Sequence, residues 1–311
     1  MSSVSHSDQR FAVMGAGSVG CYFGGMLARA GFPVTLIGRA VHVDAISEHG
    51  LLLDTQSFSE HVKLNASTEV SAIAGARVVL FCVKSTDTEH AARQMLPLLA
   101  PDCVVLSLQN GVENAEILQR VLPQRVIPAV VYVATEMAGP GHLKHHGRGE
   151  LVIGDSPESA HIAACFAEAA VQVDVSQNVM GALWAKLIVN CAYNALSAIA
   201  QQPYGKLVQV EGVTDLMKTA VDECLQVAQA DGVLVPGDVY QAVQRIAQTM
   251  ATQYSSTAQD VARGKPSEID YLNGYVFRRG TALGIPTPVN HALLTLVKLI
   301  SKNKTDNAET T

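Results

Sequence analysis

The stretch Phe11-Ala12-Val13-Met14-Gly15-Ala16-Gly17-Ser18-Val19-Gly20 decides the fold of the first half of this chain. Four apolar residues predict a buried strand, and the Gly-x-Gly-x-x-Gly pattern that follows at once predicts a tight turn into a helix. The first glycine permits the turn, the second lets a ligand approach the backbone, and the third lets the helix pack on the strand. A second apolar run at Val34–Ile37 completes the order of a dinucleotide-binding unit.

The amide groups at the start of that helix favour a negative ligand such as a pyrophosphate. We therefore expect cofactor contacts from Gly15, Ala16, Gly17, Ser18, Val19 and Gly20. The end of the second strand selects the dinucleotide, because an acid there binds the ribose hydroxyls of NAD. This chain has Arg39 there and no acid before Asp44, and a guanidinium can pair with a 2′-phosphate. The sequence predicts NADPH as the cofactor; the alternative is a solvated surface arginine at this position.

Strand and helix patterns alternate through the first 177 residues. Predicted strands lie at residues 11–14, 34–37, 78–83, 104–108, 126–133, 151–153 and 171–175, and predicted helices include residues 19–30 and 89–99. Gly139-Pro140-Gly141 interrupts the alternation, so the last strands are candidates for an antiparallel edge. The alternation predicts an α/β, Rossmann-type doubly wound sheet.

Strand patterns stop after about residue 177. Helical patterns follow at residues 179–200, 206–229, 238–253, 267–282 and 290–301, separated by glycine and proline. The sequence thus predicts an NADP-binding Rossmann domain over residues 1–177 and an all-helical substrate and catalytic domain over residues 178–311. We expect residues 1–9 to be disordered and residues 302–311 to fray.

The composition narrows the class of partner. The 311 residues carry a formal net charge of -6, which disfavours nucleic acid and anionic membranes. Six scattered cysteines lack metal or disulfide spacing, so we expect buried free thiols and no metal site. Residues 1–9 lack the apolar core of a signal peptide, and polar residues interrupt the longest apolar run, residues 183–200. We expect a cytoplasmic protein that acts on a small molecule, without a membrane partner.

Two further loops follow predicted strands, at Cys82-Val83-Lys84-Ser85 and Leu108-Gln109-Asn110-Gly111. The carboxyl ends of the strands form the ligand-binding edge of an open α/β sheet. We therefore expect Lys84 and Asn110 to line the cofactor cleft. The alternatives are a surface lysine and an ordinary Asn-Gly turn.

The first helical pattern of the second half carries a polar stripe. Lys186, Asn190 and Asn194 follow i, i+4, i+8 spacing, so successive members drift by only about 40° around the helix. A buried lysine without a partner is costly, so this stripe is expected to face a cleft or a counter-charge. The alternative is the solvent-facing side of an ordinary amphipathic helix.

A second polar cluster runs from Ser255 to Asp260 and from Gly264 to Gly274. Local structure explains part of it, because Ser256 with Gln259 has the spacing of a capping box. Glu268 and Asp270 likewise suit the first turn of a helix that begins near Ser267.

Taken together, these motifs resemble those of the ketopantoate reductases, also called 2-dehydropantoate 2-reductases. The resemblance spans about residues 10–300 and rests on the glycine loop, Val-Lys, Gln-Asn-Gly, Trp-x-Lys-x-x-x-Asn-x-x-x-Asn, Ser-Ser-x-x-x-Asp and Glu-Ile-Asp-x-x-x-Gly. It implies a Rossmann domain joined to a helical domain. It also implies reduction of a 2-oxo acid, ketopantoate, to a 2-hydroxy acid with NADPH, on the route to pantothenate and coenzyme A.

The resemblance assigns roles to individual residues. It implies that Lys186 is the catalytic lysine, which protonates the ketone oxygen as hydride arrives at C2, and that Glu268 is its acidic partner. It implies substrate contacts from Asn190, Asn194 and Ser256, with Asp260 as a supporting acid, and it matches Lys84 and Asn110 to the cofactor cleft. The chemistry agrees, since an ammonium both stabilises the developing oxyanion and supplies the proton.

One departure concerns the turn after the lysine helix. Many ketopantoate reductases carry Pro-Asn-Gly there, and this chain has Pro203-Tyr204-Gly205. The phenol could reshape the pocket, so a reductase of another 2-oxo acid is one alternative function. A non-catalytic NADP(H)-binding sensor is another, but it predicts loss of the lysine and the acid, and both Lys186 and Glu268 are present. A homodimer is the candidate assembly.

Overall fold

The computed structural model describes residue 6 and residues 9–309, with the backbone alone from residue 303 onward. Its internal contacts divide the chain into two compact units after Val179. Among the described residues, the first unit carries all ten strands and the second is helical. The predicted fold class, a Rossmann-type α/β unit followed by a helical unit, is confirmed. The expected domain boundary, between residues 177 and 178, lies two residues before this division.

The two chain ends were expected to lack order. Residues 1–5, 7 and 8 lie outside the described residues, whereas Gln9 is buried and accepts a hydrogen bond from His161 Nε2 at 3.0 Å. At the other end the backbone is helical through Glu309, across most of the stretch that we expected to fray. Thr310 and Thr311 lie outside the described residues.

The strands of the first unit form one twisted sheet. They are β1 (Phe11–Met14), β2 (Val34–Ile37), β3 (Leu51–Asp54), β4 (Ser59–Val62), β5 (Asn65–Ser67), β6 (Val78–Phe81), β7 (Val104–Ser107), β8 (Arg125–Gly139), β9 (His142–Gly154) and β10 (Val173–Ser176). The order is β4-β3-β9-β8-β7-β6-β1-β2-β5, with β10 paired to β9. The segment β8-β7-β6-β1-β2-β5 is parallel throughout, as the alternating pattern predicts.

Strand β1 lies at the point where the chain changes direction across this sheet. From β1 the chain enters β2 on one side; after β3 and β4 at the far edge of the sheet and β5 beside β2, it enters β6 on the other side of β1. Loops that follow two such neighbouring strands diverge, which leaves a crevice at their carboxyl ends. The glycine loop follows β1, and the segment with Lys84 follows β6, so the topology brings both to this crevice.

Helices cover both faces of the parallel sheet. They are α1 (Ser18–Arg29), α2 (Ala40–His49), α3 (Thr88–Met95), α4 (Asn114–Val121) and α5 (Ser159–Glu168). Successive side chains of β1 point to opposite faces of the sheet. Phe11 and Val13 pack in the core with α1 and α5, and Ala12 and Met14 pack in the core with α3 and α4. This alternation explains why a four-residue apolar run suffices for a central strand.

Several strand predictions were incomplete. Strands β3, β4 and β5 were missed, and β4 and β5 are largely polar. The predicted strands at 126–133 and 151–153 are parts of a long antiparallel hairpin, β8 and β9, which turns at Gly139-Pro140-Gly141. Exposed polar residues such as Lys144 and Arg148 hide the start of β9 from an apolar pattern, while β10 pairs parallel to β9.

The second unit holds α6 (Val179–Ala200), α7 (Tyr204–Leu207), α8 (Val213–Ala230), α9 (Val239–Thr249), α10 (Ser256–Ala262), α11 (Asn273–Leu283) and α12 (Pro288–Glu309). The predicted bounds of α6 are confirmed. The predicted helix at 206–229 is wrong as one element, because left-handed Gly212 (φ 81°) separates α7 from α8. The predicted helix at 267–282 starts too early, since a 3-10 turn at Ile269–Tyr271 precedes α11.

Helix α6 is long and apolar enough to cross a membrane by length and composition alone. However, 61% of its most apolar window is buried inside the protein, which is typical of a core helix. The six cysteines are free and five of them are buried, so the prediction of buried thiols is confirmed for all but half-buried Cys82.

Candidate functional site

Two glycines of the loop after β1 are required by packing. Gly15 has φ +107°, and a Cβ there would lie 2.8 Å from the backbone of Cys82 and Val83 at the end of β6. At Gly20 a Cβ would lie 2.2 Å from the carbonyl oxygen of Gly15. The loop is therefore held against β6 at one end and against its own helix at the other, as the motif predicts.

Gly17 differs, because a Cβ there would meet no atom within 4 Å. It is the N-cap of α1 and has no side chain that could satisfy the first amides of the helix. The N–H groups of Ser18, Val19 and Gly20 lie in the first turn, where a helix leaves amides without intrahelical partners. The open backbone at Gly17, beside amides without intrahelical partners, fits a bound pyrophosphate. Pyrophosphate binding therefore explains a glycine at position 17, which packing does not.

The end of β2 lies against the same loop. A Cβ at Gly38 would lie 2.5 Å from the Cβ of Ala16, so the two segments are in direct contact. Arg39 follows as the N-cap of α2 and is exposed. An exposed guanidinium beside the glycine loop fits the 2′-phosphate of NADPH.

The loops with Lys84 and Asn110 are joined by buried side chains. Lys84 itself is exposed and Asn110 is half-buried. Asn114 Nδ2 donates to Ser85 Oγ at 3.0 Å and to the carbonyl of Asn110 at 2.6 Å, and its Oδ1 accepts from Thr88 at 2.9 Å. Gln109 Nε2 donates to the carbonyl of Val83 at 3.0 Å and to Thr88 Oγ1 at 2.8 Å.

This network was missed by sequence reasoning. Its members are at most 6% exposed: Ser85, Thr88, Gln109 and Asn114. Fully satisfied buried polar groups make a loop rigid, so the network fixes the backbone that carries the two expected cofactor contacts. In the sequence, only Gln109 could have been recognised as a member, because it lies beside Asn110. The burial of Thr88 and Asn114 depends on the packing of α3 and α4, which the sequence does not show.

The polar stripe of the second unit lies on α6. Lys186 and Asn190 are half-buried, and Asn194 is 4% exposed. Neighbours along the helix such as Leu187 and Cys191 are buried. A stripe whose last member is buried is not a solvent-facing side, so the alternative of an ordinary amphipathic helix fails at Asn194.

Helix α10 docks on the end of this stripe through Ser255. Ser255 Oγ donates to the carbonyl of Asn194 at 3.1 Å, and the Ser255 amide donates to Ser197 Oγ at 3.2 Å. Ser255 is also the N-cap of α10, accepting from the Ala258 amide at 3.0 Å. The expected capping box of Ser256 and Gln259 is therefore wrong. Backbone geometry alone decides which of the two adjacent serines caps α10. The sequence does not reveal that geometry.

The remaining expected site residues flank this docking point. Ser256 is exposed at the first residue of α10, and Asp260 is half-buried in the same helix. Glu268 is half-buried and precedes the 3-10 turn Ile269–Tyr271, rather than lying in a helix that starts near Ser267. Ile269 belongs to the same buried cluster as Ala195 and Ala198 of α6. The Glu268 turn is thus anchored to the helix that carries the stripe.

Tyr204, the residue that departs from the family motif, starts α7. Its ring packs edge to face on Tyr193 of α6, with centroids 4.9 Å apart, and Tyr193 OH donates to the carbonyl of Val243 at 2.8 Å. Burial raises the pKa of Tyr204 to about 12. The phenol is therefore neutral at physiological pH and in contact with the lysine helix next to Asn194.

These features define a dinucleotide-dependent oxidoreductase with a helical second unit. Two family models match the chain: ketopantoate reductase PanE/ApbA over residues 11–158, and the C-terminal part of ketopantoate reductase PanE/ApbA over residues 178–301. A 2-dehydropantoate 2-reductase from Halobacterium salinarum is 33% identical over 302 residues, which are 94% of this chain and 99% of the relative.

Solved structures agree with the family models. A PanE/ApbA family ketopantoate reductase from Ralstonia eutropha JMP134 is 62% identical, with a TM-score of 0.94 over 95% of this chain and 99% of that one. A D-mandelate dehydrogenase with NADH and anilino(oxo)acetate is 25% identical, with a TM-score of 0.88 over 94% and 98%. This chain belongs to the ketopantoate reductase family and is an oxidoreductase; the predicted family and enzyme class are confirmed.

Proposed function

We propose that this chain reduces 2-dehydropantoate to pantoate with NADPH, as a step in the formation of pantothenate and coenzyme A. The observation that carries the proposal is the stripe of Lys186, Asn190 and Asn194 on one side of α6, with the Ser255 cap docked at its end. An ammonium with two amides suits 2-dehydropantoate, which presents a ketone, a carboxylate and a hydroxyl to be bound.

Lys186 is the proton donor in this proposal. Reduction adds a hydride to C2, so negative charge grows on the ketone oxygen and a proton must reach it. An ammonium held at that oxygen stabilises the charge and then transfers the proton, which leaves the alcohol and a neutral amine. Solvent returns the proton to Lys186 before the next cycle.

Glu268, Asn190, Asn194 and Ser256 hold the substrate, and Asp260 supports this cluster. The carboxylate of Glu268 can accept a hydrogen bond from a substrate hydroxyl or orient the ammonium of Lys186, and the two amides can donate to a carboxylate. Anchoring of α10 and of the Glu268 turn to α6 gives these groups a fixed geometry within one unit. Positioning of this kind contributes to the rate because misplacement by about 1 Å can cost about 100-fold.

The dinucleotide belongs to the first unit in this proposal. When bound, NADPH supplies the hydride. Gly15, Ala16, Gly17, Ser18, Val19 and Gly20 form the pyrophosphate loop, Arg39 pairs with the 2′-phosphate, and Lys84 and Asn110 line the cleft. Support comes from the open backbone at Gly17 and from the contact of Gly38 with Ala16.

Arg39→Ala tests the choice of dinucleotide. We expect the KM for NADPH to rise about 10- to 100-fold, the worth of one charge-assisted contact, while the KM for NADH stays within about twofold. Initial rates with both cofactors measure the ratio. Arg29→Ala, which removes another arginine of the first unit, is the control. An equal rise in KM for NADPH and for NADH would show that Arg39 does not contact the 2′-phosphate.

A second candidate function is reduction of a different 2-oxo acid. Two observations favour it: Tyr204 replaces the asparagine of many family members, and the chain resembles a D-mandelate dehydrogenase whose structure contains anilino(oxo)acetate. Against it, the Tyr204 ring is packed on Tyr193. We therefore propose that Tyr204 acts mainly as a packing group.

Substrate ranking discriminates the two candidates. With wild-type enzyme and NADPH, we expect kcat/KM for 2-dehydropantoate to exceed that for phenyl- and alkyl-substituted 2-oxo acids at least about tenfold, the scale of one lost polar contact. We expect Tyr204→Asn to keep this ranking and to lower the free energy of unfolding by about 2 kcal/mol through lost aromatic packing. Tyr240→Asn, at an exposed tyrosine, is the control. A preference for another acid in the wild type would favour the second candidate.

Four broader expectations also remain proposals. We propose a cytoplasmic location, which the six free cysteines support, and a homodimer, which the size of the purified protein would test. We propose no nucleic acid or membrane partner, in line with the net charge of -6. The functional division into a cofactor domain, residues 1–177, and a substrate domain, residues 178–311, is supported by the two compact units.

A further inference from the structure

The turn that carries Glu268 is weakly held by its own backbone. It contains a single 3-10 turn, Ile269–Tyr271, in which Tyr271 N–H donates to the carbonyl of Glu268 at 2.9 Å and Leu272 N–H to the carbonyl of Ile269 at 3.2 Å. Leu272 then adopts φ −109°, ψ −105°, outside helical and extended values, before α11 begins at Asn273. Side-chain contacts must therefore fix where this segment lies relative to α6.

Asn273 supplies such a contact. Its side chain is fully buried, and Nδ2 uses both hydrogens: one goes to the carbonyl of Cys191 at 3.2 Å, the other to Asn290 Oδ1 at 2.9 Å. Cys191 follows Asn190 in α6, in the middle of the polar stripe. Among the described residues, Asn273 Oδ1 accepts no hydrogen bond. The two N–H groups of Asn273 Nδ2, rather than its Oδ1, thus account for a polar side chain at this position.

The acceptor on Asn290 is itself held in place. Asn290 Nδ2 donates to Glu223 Oε2 at 2.7 Å and to the carbonyl of Ala220 at 3.1 Å, which turns Oδ1 towards Asn273. Glu223, 5% exposed, also accepts from the backbone amides of Val289 and Asn290 at 2.8 and 2.9 Å. One buried series of hydrogen bonds therefore connects α8, the start of α12, the start of α11 and the middle of α6.

We propose that Asn273 is a positioning residue for the reaction: it fixes the Glu268 turn against the α6 stripe. It touches neither substrate nor cofactor in this proposal and acts through Glu268. On the other side of the turn, Ile269 packs with Ala195 and Ala198, so the turn is held at both of its ends. The inference rests on the proposed function of Lys186 and Glu268.

Asn273→Ala tests the proposal. We expect kcat/KM for the 2-oxo acid to fall about 10- to 100-fold, because displacement of the turn by a fraction of an ångström misaligns Glu268. The Kd for NADPH, followed by fluorescence, should stay within about twofold, since its proposed site lies in the other unit. Val276→Ala, which truncates a buried residue of the same helix, is the matched control: it should lower the melting temperature without changing kcat/KM by more than about twofold.

A double-mutant cycle with Glu268→Gln separates positioning from general stability. In the Glu268→Gln background we expect Asn273→Ala to cost less than about twofold, because the group that it positions has been altered. Independent, multiplicative losses would overturn the proposal, as would a loss in Asn273→Ala no larger than in Val276→Ala. If the alanine variant does not fold, Asn273→Ser, which keeps one donor, takes its place in the same cycle. Wild-type enzyme inactive on every 2-oxo acid would instead refute the proposed function.

Discussion

Lys186→Met is expected to lower kcat for reduction of the 2-oxo acid by about 1,000-fold, the scale of a lost general acid combined with lost oxyanion stabilisation. Methionine keeps the length and apolar stem of lysine, so the packing of α6 should survive. Lys186 is half-buried on α6, and its neighbours Leu187 and Ile188 are buried. Single-turnover oxidation of NADPH, followed by absorbance at saturating substrate, measures the chemical step.

Lys206→Met is the matched control, because Lys206 is an exposed lysine of the same unit. It should retain wild-type kcat within about twofold, as expected for a surface substitution. The affinity of Lys186→Met for NADPH should be unchanged. Turnover by Lys186→Met at the wild-type rate would refute the proposed role of this lysine, whereas a shared loss in both variants would point to altered charge rather than proton transfer.

Gly20→Ala is expected mainly to destabilise the protein, whereas Gly17→Ala is expected mainly to weaken NADPH binding. At Gly20 the new Cβ would lie 2.2 Å from a backbone oxygen, so we expect a loss of about 3 kcal/mol in the free energy of unfolding, as for other overpacked sites. At Gly17 the methyl meets no protein atom within 4 Å, and the backbone is extended, so the cost should stay below about 1 kcal/mol. NADPH binding should nevertheless fall at least about tenfold in Gly17→Ala, since the methyl occupies the approach of the pyrophosphate.

Denaturant unfolding and NADPH titration by fluorescence measure the two effects separately. Each glycine is the control for the other, because both substitutions add one methyl to the same loop. Strong NADPH binding by Gly17→Ala would mean that the pyrophosphate does not approach this residue. A stable Gly20→Ala would mean that the loop can move away from its helix without cost.

The first unit was largely predictable because its signals are local. The Phe11–Met14 run is apolar on both faces, and the glycine pattern follows it directly, so a strand and its turn need no distant partner to be recognised. Strands β4 and β5 fail that test, since their residues are mostly exposed or half-buried. The beginning of β9 is hidden for the same reason.

Helix ends in the second unit were less predictable. The bounds of α6 follow from its long apolar pattern, and they match the prediction. The start of α11 does not, because the residues from Ser267 to Leu272 satisfy a helical pattern yet form a 3-10 turn and an irregular link. Packing of Ile269 on α6 and the two hydrogen bonds of Asn273 override the local preference.

By itself, the sequence determined that this protein has a dinucleotide loop, a doubly wound sheet and a polar stripe on a helix, because each is written in spacings of a few residues. The tertiary structure alone decided which glycines are forced by packing and which leaves its backbone open, which of two serines caps α10, and how Asn114 and Asn273 tie their loops down. Asn114 reaches Ser85 across 29 positions of chain and Asn273 reaches Cys191 across 82, and local spacing does not encode such contacts.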